Sequence, residues 1–265
     1  MKVTVYGTRG SVPVPEKEFL EYGGNTSCYL LECDEHIIVD AGTGIIKLGA
    51  YLKEDMLPIH IFISHVHLDH IHGLYDFAPF YQQGREIHIY GERREGESIA
   101  DQLKSIVRPP YWPVGFDDYS ANVIFHDIEV DKKYDICSKM SFIAHRSNHP
   151  NVCTNYRFEQ AGKTFVYVLD YEHIPELLDD IVEFCNEADL VVFDAAYVPG
   201  KIVKNFGHSS WEEGLLIADK AHVKKIAMSH YSRHYSDDVL REQERLMQQV
   251  NPNAVFAKEN MVIEM

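Results

Sequence analysis

The sequence predicts an α/β protein with two β-sheets and outer helices, folded as a single domain over residues 1–265. Three observations support this fold class. Strand-like segments fill the first third of the chain, and alternating strands and helices return in the last third. No Gly/Ser-rich linker divides the chain, whose length suits one large domain or two small ones. Polar side chains concentrate where predicted strands end, which is where α/β proteins place their sites.

Apolar segments predict the elements of the first half. Strands are expected at 2–6, 27–32, 36–40 and 59–64, with a helix at 43–54. Further strands are expected at 86–90, 122–126, 140–145 and 154–159. Residues 107–116 are rich in proline and are predicted to form a loop.

The second half predicts strands and helices in alternation. Strands are expected at 163–170, 189–194 and 224–230. Apolar residues at helical spacing predict helices at 174–188, 211–222 and 236–250, the last with an acidic first turn. Together these elements predict one domain with two sheets and helices on their outer faces.

Composition limits the classes of partner. The chain has 25 Lys and Arg against 41 Asp and Glu, a formal charge of −16 that repels polyanions and disfavours a long nucleic acid. No signal peptide and no apolar run long enough to span a membrane is present, so no membrane partner is expected. An odd number of cysteines without a CxxC pair predicts a reduced, cytoplasmic location. Each is expected to be a small buried residue: Cys28, Cys33, Cys137, Cys153 and Cys185.

The stretch SHVHLDHIHG, residues 64–73, carries the strongest functional signal. Alternate residues at the end of a strand point to one side, so His65 and His67 could bind one metal ion. The turn that follows could direct Asp69 and His70 to a second, adjacent ion. Imidazole and carboxylate donors without thiolates suit a catalytic site for Zn²⁺, Mn²⁺ or Fe.

This stretch resembles the HxHxDH signature of the metallo-β-lactamase fold superfamily. Three earlier stretches resemble the opening of the phosphodiesterase branch of this superfamily. They are GTRGSVPVP (7–15), YGGNTSCYLLE (22–32) and IIVDAGTG (37–44). That branch includes ribonuclease Z-type and cyclic-phosphate phosphodiesterases. The resemblance covers almost the whole chain. It implies a four-layer αβ/βα sandwich with a two-metal site at the edge between the sheets.

The resemblance implies three further ligands, each at a predicted strand end. His149 would complete the first metal site, Asp170 would bridge both ions, and His230 would complete the second site. His145 competes with His149, and only its position relative to the family pattern disfavours it. The implied ligands are His65, His67, Asp69, His70, His149, Asp170 and His230, with Asp69 also counted as catalytic.

NFGHSSWEEG, residues 205–214, carries a second signal. A serine here can cap the helix that follows, with a glutamate in its first turn, but capping leaves His208 unexplained. The stretch resembles the GHS/T motif of the ribonuclease Z-like branch, whose histidine protonates the leaving oxygen. The resemblance implies His208 as a general acid held by Glu213, with Glu212 as the fallback. A carboxylate beside an imidazole raises its pKa.

Several other residues have two interpretations each. Arg233 lies in a segment, 229–238, that resembles the one after the last ligand in that branch; it could bind a phosphate oxygen or form a surface salt bridge. Asp194 could orient His230 or His208, and Asp40 could stand behind a metal ligand, but each could also only cap a strand. Three aromatic residues could stack a base: Tyr111, Trp112 and Tyr197. Alternatively, Tyr111 and Trp112 could pack the proline-rich loop onto the sheet.

The combined prediction is a dinuclear-metal hydrolase, with two divalent ions as cofactors, that acts on a small phosphodiester. Water between the ions would attack the phosphorus as hydroxide, and His208 would protonate the leaving alkoxide. A β-lactam or thioester leaving group needs such an acid less. The acidic charge and the lack of a Gly- and Lys-rich arm favour a cyclic nucleotide, a cyclic ribose phosphate or a short oligonucleotide.

Alternatives stay open at this point. A thioesterase or lactonase of the same fold would keep the metals without needing His208. A tRNA 3′-processing endonuclease would share the GHS/T motif. A redox diiron protein of this fold usually has glutamate where His67 stands, and a metal-dependent binding module has no support in the sequence. Relatives in the branch often dimerise, so a homodimer is a further possibility.

Overall fold

The computed structural model describes residues 1–137 and 139–265. Its strands are β1 (Lys2–Gly7), β2 (Cys28–Glu32), β3 (His36–Val39), β4 (Ile59–Phe62), β5 (Glu86–Glu92), β6 (Asn122–Ile128), β7 (Lys133–Ile136), β8 (Met140–Ser147), β9 (Cys153–Gln160), β10 (Lys163–Val168), β11 (Leu190–Asp194), β12 (Ile226–Ser229), β13 (Val255–Phe256) and β14 (Val262–Glu264). Its α-helices are α1 (Gly44–Leu52), α2 (Leu68–Ile71), α3 (Ile99–Lys104), α4 (Leu178–Cys185), α5 (Trp211–Lys220) and α6 (Asp237–Val250).

The strands form two seven-stranded mixed sheets. The first has the order β14-β1-β2-β3-β4-β5-β6, and the second has the order β13-β12-β11-β10-β9-β8-β7. In the first sheet β3, β4, β5 and β6 run parallel, and in the second β10, β11, β12 and β13 run parallel. Parallel strands end at the same edge, so each sheet presents a row of strand ends to one side.

Aromatic and branched side chains fill the space between the sheets. Phe62 of the first sheet meets Phe142 and Phe158 of the second edge to face, with ring centroids 4.8 Å and 4.9 Å apart. All three side chains are buried. Edge-to-face pairs add to the stabilisation from burial, so this layer joins the two sheets firmly.

Helices cover the outer faces. Residues of α1 and α3 pack with the alternate side chains of β4 and β5 on the outside of the first sheet. Residues of α4, α5 and α6 pack on the outside of the second sheet. The result is the predicted sandwich of four layers, and the fold class is confirmed. None of the helices in the described residues is long and apolar enough to cross a membrane.

Most predicted elements are present, with ends that differ from the prediction by a few residues in either direction. The strand expected at 163–170 ends at Val168, and the helix expected at 174–188 begins as a 3₁₀ turn at Pro175–Leu177. Residues 107–115 form turns, as expected. Five elements have no counterpart in the sequence prediction: α2, α3, β7, β13 and β14. All are short, so their apolar residues are too few to show a period.

The cysteines differ in part from the prediction. Cys28, Cys153 and Cys185 are buried, as expected. Cys33 and Cys137 are only half-buried, with their sulfur atoms 4.0 Å apart. Cys33 follows a strand of the first sheet and Cys137 follows a strand of the second. Their spacing in the sequence does not show that they are neighbours in the fold.

Candidate metal centre

The ends of β4 and β8 supply a first cluster of donors. His65 Nε2 lies 2.8 Å from His67 Nδ1, and His149 Nε2 lies 3.4 Å from the same atom. Asp170 Oδ1 is 3.9 Å from His65 Nε2 and 3.7 Å from His149 Nε2. Burial lowers the pKa of the three imidazoles, which favours the neutral form that binds metals.

A second cluster shares Asp170. Its Oδ2 lies 2.9 Å from His70 Nε2 and 3.2 Å from His230 Nε2. Asp69 Oδ2 lies 3.4 Å and 3.3 Å from the same two nitrogens. The two oxygens of Asp170 therefore face different clusters, which is the arrangement of a bridging carboxylate.

The donors of these clusters fit divalent ions. His70 Nε2, Asp170 Oδ2 and His230 Nε2 are buried and close together, but none of them is aligned for a hydrogen bond. Buried polar atoms without partners are costly, and these three converge on one point. Imidazole and carboxylate atoms, with no thiolate among them, suit Zn²⁺ or Mn²⁺ in a catalytic site.

Three residues at this edge have strained backbone. Asp40, Asp170 and His230 follow three different strands, and their φ angles are 59°, 53° and 65°. Residues other than glycine pay about 1 kcal/mol or more for this left-handed region. Asp170 and His230 direct their side chains into the second cluster, and Asp40 directs its side chain to the proposed ligand His70. The strained backbone therefore positions these side chains.

Asp40 stands behind a ligand. Its Oδ2 accepts hydrogen bonds from His70 Nδ1 at 2.6 Å and from the Tyr167 hydroxyl at 2.6 Å. Ser64 also donates to this carboxylate through its backbone N–H and its hydroxyl. The bond to Nδ1 directs Nε2 of His70 toward Asp170, so of the two interpretations of Asp40 the structure favours support of a ligand.

Asp194 supports two histidines. Its Oδ2 lies 2.9 Å from His208 Nδ1 and 3.4 Å from His230 Nδ1. The backbone N–H groups of Asp170 and Ser209 donate to the same carboxylate. Burial raises the pKa of the Asp194 carboxyl, but the neighbouring His208 and His230 lower it more, to about 2.

His208 lies beside both clusters. Its ring centroid is 5.1 Å from that of His230 and 5.4 Å from that of His149. Burial lowers the pKa of the His208 imidazole, but Asp194 raises it more, and the net shift is upward. The imidazole is therefore inclined to keep a proton near neutral pH.

The expected pairing of His208 with Glu213 requires a correction. Glu213 Oε2 instead accepts the backbone N–H of Ser210 at 2.8 Å, in a capping box at the start of α5. Glu212 is exposed. Asp194 takes the place expected for Glu213, because the capping box already engages the glutamate carboxylate.

Two glycines allow the backbone to approach the ligands closely, which sequence analysis missed. A Cβ on Gly207, where φ is +83°, would lie 1.9 Å from His149 Nδ1. A Cβ on Gly10 would lie 2.5 Å from the His230 ring. Beside Gly10, the backbone N–H of Ser11 donates to Asp69 Oδ2 at 2.6 Å. The glycine-rich GTRGS stretch was the available signal for this loop.

The remaining candidates divide between the site and the surface. His145 binds Asp131 and Asp180, each at 2.9 Å, away from both clusters. The Tyr197 ring centroid lies 5.9 Å from that of His208. The other three lie outside the centre: Trp112 packs on Tyr75, and Tyr111 and Arg233 are exposed.

Buried histidine and aspartate clusters at the edge of a four-layer sandwich define a metal-dependent hydrolase. Residues 35–231 match the family model described as the beta-lactamase superfamily domain, and the chain belongs to this superfamily. The resemblance to the metallo-β-lactamase superfamily and the prediction of a metal-dependent hydrolase are thereby confirmed.

Individual relatives agree with this assignment. The chain is 23% identical to ribonuclease Z of Pyrococcus furiosus, over 89% of this chain and 88% of that protein. Its fold is similar to that of YhfI from Bacillus subtilis, with a TM-score of 0.74, 22% identity and coverage of 100% and 98% of the two chains. It is also similar to that of a diphosphatase from the PhnP family, with a TM-score of 0.73, 20% identity and coverage of 100% and 96%.

Proposed function

We propose that this protein hydrolyses a small phosphodiester: a cyclic nucleotide, a cyclic ribose phosphate or a short oligonucleotide. The observation that carries the proposal is the His208–Asp194 pair beside Asp170, with 2.9 Å between Nδ1 and Oδ2. A phosphodiester releases an alkoxide, which needs a proton, whereas a thioester or β-lactam leaving group needs one less. A positioned histidine next to the metal ligands suits the first class of reaction.

The proposed ligand assignment follows the two clusters. His65, His67 and His149 would hold one ion, Asp69, His70 and His230 would hold the other, and Asp170 would contact both. Two divalent ions, with Zn²⁺ favoured by the donors and Mn²⁺ or Fe next, would supply water of lowered pKa and neutralise phosphate oxygens. Asp69 is thus both a ligand and part of the catalytic machinery.

His208 would act as the general acid. Its Nδ1 faces Asp194, which leaves Nε2 as the nitrogen that can give a proton to the leaving oxygen. The upward shift of its pKa favours the protonated form that this role requires. His208 lines a cavity of about 330 Å³ together with His67, His149 and Asp170, and this volume suits a small substrate.

Steady-state hydrolysis of bis(p-nitrophenyl) phosphate by the metal-reconstituted protein tests the proposal. Asp170→Ala should lose both activity and bound metal, whereas His208→Ala should keep the metal and lose activity by about 10²-fold or more on alkyl leaving groups. Because p-nitrophenolate leaves easily, its hydrolysis should suffer less. His145→Ala removes a histidine outside the clusters and is the matched control. Cleavage of a lactone or thioester in place of every phosphodiester would contradict the proposal.

Precursor tRNA is the second candidate substrate, because the ribonuclease Z relative aligns with 89% of this chain. The formal charge of −16 counts against a long polyanion. Cleavage of a precursor tRNA far faster than of any short diester would favour this alternative. For either substrate, we propose that residues 1–265 act as one domain.

A further inference from the structure

We propose that Phe206 is a stacking platform for the base of the nucleoside that leaves during hydrolysis. This inference rests on the proposed phosphodiester hydrolysis and specifies its substrate as a diester with a nucleoside on the leaving side. Phe206 lines the cavity of the metal centre together with His149 and His208, although its side chain is 62% exposed. Single exposed apolar residues are common, so its position alone does not define a role.

The backbone on both sides of Phe206 is fixed by one buried carboxylate. Glu172 Oε1 accepts the N–H of Asn205 at 2.9 Å, and its Oε2 accepts the N–H of Gly207 at 3.0 Å. The Gly207 carbonyl in turn accepts a hydrogen bond from His149 Nδ1 at 3.1 Å. The backbone of Phe206 is therefore held at a fixed place beside a proposed ligand. An aromatic side chain has only two χ angles to order on binding, so its entropy cost is small.

The chain segment that carries Phe206 is basic, unlike the sequence as a whole. Between Asp194 and Glu212 the sequence contains no acidic residue, and it contains Lys201 and Lys204, both exposed. On a chain with a formal charge of −16, this segment is the less repulsive approach for an anion. An aromatic face near cations is the combination by which proteins bind single-stranded nucleotides.

The position of His208 decides which side of the substrate meets Phe206. When the P–O bond to the leaving group breaks, that oxygen takes the proton of His208, and the nucleoside departs as an alcohol. Phe206 is two residues before His208 and lines the same cavity. The ring therefore belongs to the leaving side, where a flat base could cover it.

Two substrates that differ only in this base test the inference. One is a dinucleoside monophosphate, and the other is its analogue in which the leaving sugar lacks the base. Phe206→Ala should lower kcat/KM for the first by about 5- to 100-fold, the range expected for one stacked base, and leave the second unchanged. Phe206→Trp should retain the preference. Ile202→Ala, an exposed apolar residue of the same segment that does not line the cavity, is the control.

Binding of the product nucleoside gives a readout independent of turnover. By calorimetry it should bind wild type more tightly than Phe206→Ala, while the sugar alone should not distinguish them. An equal loss on both substrates would give Phe206 only a structural role and overturn the inference. Hydrolysis of simple diesters without a preference for the base would overturn this inference alone. Failure to hydrolyse any phosphodiester would overturn the proposed function and this inference with it.

Discussion

Asp194 uses one carboxylate to orient two histidines that have different proposed tasks. Its Oδ2 faces Nδ1 of His208, the proposed acid, and Nδ1 of His230, a proposed ligand. A carboxylate on Nδ1 fixes the tautomer and directs Nε2 outward. The N–H groups of Asp170 and Ser209 hold Asp194 in turn, so its carboxylate stays in place facing both imidazoles.

Asp194→Asn should reduce activity by about 10- to 100-fold, the usual effect of losing such a supporting carboxylate. The amide retains the shape but not the negative charge that favours the protonated form of His208. Diester hydrolysis should be measured together with metal content. Asp131→Asn changes a His–Asp contact outside the centre, at His145, and should leave activity intact. Full activity in Asp194→Asn would exclude the proposed support of His208.

The same residue shows where sequence reasoning stops. The family resemblance implies Glu213 as the partner of His208, and the sequence offers Asp194 only as a residue that could orient His230 or His208. Asp194 lies fourteen residues before His208 and ends a strand, and only the parallel pairing of β10 and β11 brings it behind Asp170. The capping box of Glu213 could be read from the sequence, but nothing in the sequence showed that it excluded the second role.

At the scale of elements, buried Arg9 links the loop after β1 to two other segments. Its Nε donates to the Gly23 carbonyl at 2.7 Å, and one terminal nitrogen donates to the Tyr235 carbonyl at 2.8 Å. The side chain is completely buried, and Asp237 lies 3.9 Å from the other terminal nitrogen. Arg9 therefore ties the glycine-rich loop to the segment that follows His230.

Arg9→Met should lower the free energy of unfolding by about 3 kcal/mol. The carbonyl oxygens of Gly23 and Tyr235 lose their donor, and Asp237 loses a nearby positive charge. Urea denaturation of the variant against wild type measures this loss. Arg241→Met removes an arginine whose ion pairs are largely exposed and should cost much less. Equal losses in the two variants would contradict the proposed anchoring role of Arg9.

Asp189 immediately precedes β11, at the end of the strand opposite to Asp194. Its carboxylate forms ion pairs that connect separate elements. Its Oδ1 lies 3.0 Å from both Lys163 Nζ and Lys224 Nζ, and its Oδ2 accepts the N–H of Thr164 at 3.0 Å. Burial raises the pKa of this carboxyl, but the two lysines and the N–H lower it more, to about 2.

Asp189→Asn should therefore be less stable than wild type at neutral pH but not at very low pH. A folded-state pKa below the ordinary value near 4 stabilises the fold above about pH 4, and this contribution disappears as the pH falls toward 2. Urea midpoints of both proteins across this range measure the difference. Asp117→Asn removes an exposed pair with Lys104 and is the matched control, which should cost little stability. A constant difference between Asp189→Asn and wild type would argue against the charge interaction.

Long and strongly patterned elements were predictable, and so were the residues that the family signature marks. The seven predicted ligands, from separate parts of the chain, lie together in two clusters. The short strands β13 and β14 escaped prediction because their stability comes from neighbouring strands, not from their own pattern. Phe206 and Gly10 escaped because their importance lies in which distant side chain each one meets.

At the scale of the whole molecule, the metal centre lies across the junction of the two sheets. Four of the proposed ligands follow β4 of the first sheet: His65, His67, Asp69 and His70. The other three follow strands of the second sheet: His149, Asp170 and His230. The core between the sheets is apolar, whereas this edge contains buried carboxylates. Ions held by both groups of ligands would therefore link the sheets and offset the repulsion among the carboxylates.

Removal of the metal should lower the stability of the entire fold. Ions that bind only the folded state add RT ln(1 + [L]/Kd), about 4 kcal/mol at a free concentration of 1,000 times Kd. Thermal unfolding of the loaded protein with and without a chelator, alongside elemental analysis, measures this contribution. Asp170→Ala, which lacks the proposed bridging ligand, should respond little to the chelator. If the wild-type midpoint stayed constant after verified loss of metal, the ions would not link the two sheets, and the apolar layer around Phe62 alone would hold them together.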